Sequence, residues 1–169
     1  QPVDRNQSVD CPQLVDCNQS VDCLCFFGRV LKSNDTNKMN KLTQHFHIPC
    51  YFTDASWRLK PASFMNIAQE AANQHATVLG FGYDELIESR TAWIISRMHI
   101  EFIDAPKWRD QVTFQTWHKG LERLFFLRDF LMTDKEGRPR VKATTSWLVL
   151  NLDTRRLVRD PNLLDEGTV

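Results

Sequence analysis

The rhythm of apolar and polar positions changes several times along this chain, and each change predicts an element. Residues 41–52 alternate weakly and end at Pro49-Cys50-Tyr51-Phe52, which reads as a strand. Thr53-Asp54-Ala55-Ser56 reads as a turn. Over 62–79 the apolar spacing becomes helical: Phe64, Ile67, Ala68, Ala71, His75, Val78 and Leu79 share one face, and Asn66, Gln69, Glu70, Asn73 and Thr77 take the other. Pro61 suits the first turn of that helix and Gly80 its stop. Ala68, Ala71 and His75 leave the apolar face low, so the helix can lie close to what covers it. A short helix over 83–88 follows. Alternation then predicts strands over 92–103, 112–118, 123–133 and 141–150, and a short one over 155–159. Their links carry turn chemistry, at Ala105-Pro106, Lys119-Gly120, Asp134-Lys135-Glu136-Gly137 and Leu152-Asp153-Thr154. One strand, one long helix, then four or five strands joined by short turns predicts an α+β meander whose apolar face the helix covers.

Composition narrows this reading. The chain has 169 residues, the size of one domain, and no run of about 18 apolar residues long enough to span a membrane. Twenty-one basic residues balance twenty-one acidic ones, so charge offers no case for nucleic acid as partner. Eleven Phe and five Trp can build a core or line an apolar pocket. Four of the five Cys precede residue 26, and three of them end a six-residue repeat: NQSVDC at 6–11, PQLVDC at 12–17 and NQSVDC at 18–23. Repetition accounts for that spacing, which does not match the paired thiols of a zinc site, and no metal is expected. Residues 32–41 are polar and turn-rich, so 1–41 is expected to be a disordered low-complexity leader and linker, and 42–169 a single folded domain. The chain opens on Gln1, as a fragment or processed product would. No secretory signal or transit peptide is visible, and the expected compartment is cytoplasmic.

Several segments carry a resemblance. They are the run Tyr51 to Pro61, QEAANQHATVLGFGYDEL at 69–86, AWIISRMHIEF at 92–102, WRDQVTFQTW at 108–117, GLERLFFLRDF at 120–130 and TSWLVLNLDTRRLVR at 145–159. Together, from about Phe46 to Pro161, they resemble the N-terminal half of acyl-ACP thioesterases, the bacterial relatives of the plant fatty acyl-ACP thioesterases. The resemblance implies a hot-dog fold: a long central helix wrapped by an antiparallel sheet, with two such repeats in tandem in the whole enzyme. It implies that the first repeat shapes the acyl pocket, while the second carries Asn-x-His and Val-Asn-Asn. That set is expected beyond Val169. The only Asn-x-His here, Asn73-Gln74-His75, falls inside the long helix and is read as coincidence. One departure stands out. Trp57 occupies a position where the family usually has Gly, and Gly permits φ > 0, so a rearranged turn is expected.

Thioester hydrolysis needs an activated water or a carboxylate nucleophile, plus donors aimed at the developing oxyanion. The resemblance puts those donors at the helix start, Lys60 to Ser63, and an acid in the turn before it, where Asp54 sits. Asp54 is thus a candidate base or orienter, or else a turn carboxylate bonding local N–H groups. Glu70, on the polar helix face, is a second candidate, its alternative a solvated glutamate. Phe64, Ile67, Ala68, Ala71 and His75 are acyl-pocket candidates, and His75 amid the apolar face reads more readily as a hydrogen-bonded core residue than as a base, which would need an orienting partner. Aromatics such as Phe81, Phe102, Phe114, Trp93, Phe126 and Trp147 line either a core or an acyl tunnel. His99 alternates with Arg97 and Glu101 on one strand face beside Trp93 and Ile95, as a wet surface or a contact for a second repeat. His45 and His47 share a strand face without a third ligand nearby. Arg138, Arg140, Lys142, Arg155, Arg156 and Arg159 form a basic stretch that suits an acidic acyl carrier protein, or is a solvated edge.

No Gly-rich phosphate loop or Gly-x-Ser-x-Gly elbow is present, and no cofactor is expected. Three functional readings stand. The first is the N-terminal portion of an acyl-[acyl-carrier-protein] thioesterase of fatty acid biosynthesis, inactive alone and paired with a second repeat. The second is a single-repeat acyl-CoA thioesterase working as a homodimer through Asp54 and Glu70. The third is a non-catalytic acyl-binding module.

Overall fold

The computed structural model describes residues 41–158. The repeat leader, Arg159 and the chain's last ten residues lie outside them. Five strands form one antiparallel sheet: β1 (Leu42–His47), β2 (Thr91–Phe102), β3 (Gln111–Glu122), β4 (Phe125–Asp134) and β5 (Pro139–Asn151). Their spatial order is β1-β3-β4-β5-β2. The long helix α1 (Pro61–Val78) packs on one sheet face, and the short helix α2 (Tyr83–Glu88) follows it. The α+β architecture expected from the sequence, a helix wrapped by an antiparallel sheet, is what the chain adopts.

α1 forms where the periodicity placed it. Pro61 occupies its first position, where a missing N–H costs nothing, and Gly80 beyond its end takes φ +81. Ser63, Phe64, Ile67, Ala68, Ala71, Ala72 and His75 are its buried positions. Val78 is exposed, because the sheet no longer faces the helix at its last turn. Phe64 sits edge-on to Phe102 and Phe114, with ring centroids 5.8 Å away in each case. Around it Ile67, Ala68 and Ala71 meet Val112, Phe130, Met132, Val141 and Ala143 of the sheet.

The strand connections differ from the meander that short turns suggest. Only β3, β4 and β5 follow one another as neighbours. β2 lies at the far edge and pairs with β5 alone. Residues 103–110 therefore cross the end of the sheet, tied to Arg140 by the Ile103 and Asp104 N–H groups and to Ile48 through the Arg109 N–H. Pro49, which cannot donate to a ladder, ends β1, and Cys50–Phe52 is a 3₁₀ turn, not strand. Lys119-Gly120 is a bulge rather than the hairpin turn: the register shifts between His118 and Gly120, Gly120 takes φ +123, and β3 runs on to Glu122. The chain reverses one step later, at Arg123 with φ +59. Residues 155–158 make a single bridge, Leu150 to Leu157, not a fifth late strand. A bulge at Ser96, between Ile95 and Arg97, shifts the phase of β2. Trp93 thereby joins Met98, Ile100 and Phe102 on the inner face, and Arg97, His99 and Glu101 turn outward.

The turn at Trp57 places that residue in the region of φ that Gly takes freely. Trp57 adopts φ +62 itself, a conformation costing a non-Gly residue about 1–2 kcal/mol. Its indole stacks on Trp108, centroids 4.8 Å apart at 24°, and its carbonyl accepts from the Trp108 N–H. Aromatic pairing of this kind returns about 0.5–1.5 kcal/mol, which offsets the strain.

The β4–β5 hairpin is organised by Asp134. Its Oδ1 accepts from the Glu136 and Arg138 N–H groups at 3.1 and 2.9 Å, and its Oδ2 from Arg138 Nε at 2.8 Å. Burial alone would raise this carboxyl, but the Arg138 backbone and guanidinium outweigh burial and hold it below the usual carboxylate range. A depressed folded pKa gives stability that is complete above the unfolded pKa and is lost as the pH falls through the folded one. Urea unfolding at pH 7 and below pH 3 is expected to show a smaller acid loss in Asp134→Asn than in wild type. Equal losses would mean that the hairpin carboxylate is uncoupled from folding.

Candidate functional site

The inner face of the sheet changes character along its length. Beneath the N-terminal half of α1 it presents Val112, Phe114, Phe130, Met132, Val141 and Ala143, all buried. At the next inward position of each strand the residues are polar: Thr116, Arg128 and Thr145, exposed by 0%, 8% and 1%. Alternation forces this arrangement, since a period of two puts Phe126, Arg128, Phe130 and Met132 of β4 on one face. Beyond that band the helix and sheet separate around a cavity of about 980 Å³.

The C-terminal half of α1 (Gln69 to Leu79), α2 and the β3 bulge wall this cavity, with Trp93, Phe126 and Trp147 on the sheet side. Phe81, Leu86 and Ile87 contribute further apolar wall. Trp93 and Phe126 meet edge-on, centroids 5.0 Å apart, and the Trp93 indole N–H donates to the Phe81 carbonyl. Lys41 and Lys119 line it as well, Lys41 over the Trp117 ring and Lys119 paired with Asp129. A mainly apolar, aromatic-lined hollow with a few placed polar groups suits an alkyl chain.

The polar groups are Arg128, His75 and His118. Arg128 Nη1 donates to His75 Nδ1 at 2.8 Å and to Thr116 Oγ1 at 3.2 Å. A guanidinium only donates, so His75 Nδ1 is an acceptor. Burial pushes the Arg128 pKa down to about 10, which leaves it cationic at neutral pH. His118 faces Arg128 across the β3–β4 ladder. Burial, and then the Arg128 charge, push its pKa below the ordinary histidine value. Its Nε2 is buried without a hydrogen-bond partner.

The sequence candidates fall in different places. Phe64, Ile67, Ala68 and Ala71 are in the core under the helix, and His75 lines the cavity. Glu70 is on the cavity wall, half-buried, accepting from Gln74 Nε2 at 2.7 Å. Asp54 is outside it, in the turn before α1, where Oδ1 accepts from the Ser56 and Arg58 N–H groups at 2.8 and 3.0 Å. α1 is eighteen residues long, about 27 Å at 1.5 Å per residue, and separates Asp54 from the cavity end. Of the aromatics, Phe81, Trp93, Phe126 and Trp147 line the cavity, while Phe102 and Phe114 pack in the core. His45 Nδ1 meets Thr113 Oγ1 at 2.9 Å and His47 Nε2 meets Gln111 at 3.2 Å, both on the outer face.

The basic stretch is divided. Arg138 and Arg140 flank the start of β5, paired with Asp134, Glu136 and Asp104. Arg155 and Arg156 follow the end of that strand, roughly 40 Å away at about 3.3 Å per residue. Lys142, Arg155 and Arg156 form no ion pair among the described residues. Arg128 and His118 were not singled out by sequence. Their signal is a charged residue inside the apolar phase of a strand.

Known proteins resemble the chain in the same terms. A family model described as the acyl-ACP thioesterase N-terminal domain matches residues 39–165. The oleoyl-acyl carrier protein thioesterase 2 of Arabidopsis thaliana is 30% identical over 140 residues, covering 79% of this chain and 37% of that protein. Its Coriandrum sativum counterpart is 31% identical over 125 residues, covering 68% and 33%. The chain thus spans about a third of the curated relatives it matches. Among solved structures, an acyl-ACP thioesterase from Bacteroides thetaiotaomicron superposes with TM-score 0.71 at 28% identity, covering 79% of this chain and 55% of that one. The 12:0-ACP thioesterase from Umbellularia californica gives 0.67 at 27%, covering 75% and 52%. The fold is the hot-dog arrangement, and the chain belongs to the acyl-ACP thioesterase family, matching its N-terminal domain.

Proposed function

We propose that this chain is the acyl-holding hot-dog unit of an acyl-ACP thioesterase, which hydrolyses the acyl thioester and releases free fatty acid in fatty acid biosynthesis. The observation that carries this reading is the apolar cavity beneath the C-terminal half of α1, in a chain of this family. Each methylene buried there contributes about 0.8 kcal/mol, enough to retain an alkyl chain while the thioester is attacked. The carrier protein approaches at one end of β5, through Arg155 and Arg156, which have no acidic partner among the described residues, with Lys142 further along the strand. The compartment is the one that holds acyl carrier protein, the cytoplasm in a bacterial-type cell.

The attacking water and its base come from a second hot-dog repeat expected beyond Val169. That repeat adds to the edge of β2, whose outer side has no neighbour among the described strands and where Ile94 and Ile95 are 42% and 46% exposed. Given dodecanoyl-ACP, the 169-residue chain alone is expected to turn over at least ~10³-fold more slowly than a two-repeat homologue, the scale of a missing acid–base or oxyanion group. Turnover near the homologue's rate would overturn the division of labour. It would favour the homodimeric acyl-CoA thioesterase reading, which has the position of Glu70 on the cavity wall in its support; Asp54→Asn would then abolish activity. Binding of an acyl-pantetheine analogue without turnover, even with a second repeat supplied, would leave an acyl-binding module.

A further inference from the structure

The cavity holds a charge that no carboxylate among the described residues balances. Arg128 is 8% exposed and lines a mainly apolar, aromatic-rich hollow. Its two hydrogen-bond acceptors, His75 Nδ1 and Thr116 Oγ1, are neutral, and both engage Nη1. Nε and Nη2 have no acceptor among the described residues, and no carboxylate pairs with the group. Glu70, the one carboxylate in the cavity lining, is engaged by Gln74 and forms no ion pair with Arg128. Across the ladder, His118 brings a buried, unpartnered Nε2 to the same place. Desolvating a guanidinium is costly, and a bidentate carboxylate is the group that best offsets the cost. A plain alkyl terminus offers nothing to it.

We propose that Arg128, with His118 beside it, binds the carboxylate of a fatty acid lying head-inward in the cavity, its tail along Trp93, Phe126 and Trp147. The site rests on the reading of the cavity as an alkyl-chain site. It gives the free acid a bound pose that the thioester cannot adopt, so the acid competes with acyl substrate for the same space. Two sources share the chemistry: the released fatty acid, and the distal carboxylate of a dicarboxylic acyl chain.

The probes are decanoate and its neutral analogue decanamide, titrated into the 169-residue chain and followed by tryptophan fluorescence, since Trp93, Trp117 and Trp147 line the cavity. Decanoate is expected to bind at least about tenfold more tightly, the scale of one charge-assisted pair. Arg128→Met should reduce that preference to within about twofold and Arg128→Lys should retain it, whereas Lys119→Met should leave it unchanged. The carbonyl resonance of bound [1-¹³C]decanoate gives a test that needs no variant: its carboxyl should titrate below the free acid. Monomethyl decanedioate binding more tightly than decanoate would identify the distal carboxylate as the source, and the reverse the released acid. Equal binding of decanoate and decanamide, or a preference lost in Lys119→Met and kept in Arg128→Met, overturns the site while the alkyl-chain reading stands. If neither ligand binds, both fall together.

Discussion

Phe64→Ala should lower stability by about 3–5 kcal/mol, the range for truncating a buried aromatic side chain. Phe64 is wholly buried and is the point where α1 meets the sheet, through Phe102 on β2 and Phe114 on β3. Those strands lie on opposite sides of the sheet's centre, so one side chain ties the helix to both. Phe114 is held back from refilling the space by its contact with Phe130. In thermal unfolding this corresponds to a fall of roughly 10–20 °C. Met65, the next residue, is 46% exposed, and Met65→Ala should stay within about 0.5 kcal/mol. A loss below about 1 kcal/mol for Phe64→Ala would mean that the helix is not seated as described.

The second large effect is expected at Gly82→Ala. Gly82 has φ −72, so its backbone asks for no special freedom. What it needs is room. A Cβ there would stand 2.5 Å from Thr77 Oγ1 and 2.9 Å from Thr77 Cα. The hydroxyl can rotate away, but the Cα belongs to the last turn of α1 and cannot. Overpacking of this kind costs about 1–3 kcal/mol. It would be relieved by displacing α2, which supplies Leu86 and Ile87 to the cavity wall. Binding of an alkyl ligand should therefore weaken along with stability. Thr77→Ala added to Gly82→Ala should recover only part of the loss, since the backbone contact remains. Full recovery would show that the side chain alone is the obstacle.

The elements that could be read from sequence are those whose signals are local. α1 has eighteen residues of helical spacing, a proline at its start and a glycine after its end, so its limits and its buried face were both legible. α2 and the central strands followed from similar short-range patterns. Sheet order was not legible, because the pairing of β2 with β5 joins segments some fifty residues apart, and nothing in either strand names its neighbour. The β2 bulge is equally silent, and it decides whether Trp93 faces the cavity or the solvent. Trp57 was only partly legible, for a different reason. Its backbone strain was visible in the sequence, but the Trp108 ring that offsets it lies fifty-one positions away. Arg128 was legible in principle, alternating with Phe126, Phe130 and Met132. An arginine in a strand is ordinarily a surface residue, and only the register with His118 and Thr145 shows the inner face turning polar at that level. The cavity itself has no local signature, since it is the space between the end of α1, α2 and a bulged strand.

The bulge at Ser96 also has a consequence for the free border of β2. An uninterrupted free border of twelve residues would template open-ended accretion, one chain after another. Here the ladder direction is broken near the middle of β2, so a newcomer can keep its hydrogen-bond phase on one side of the kink only. A strand added along that border would thus hold its ladder over a short stretch at most, which works against open-ended growth.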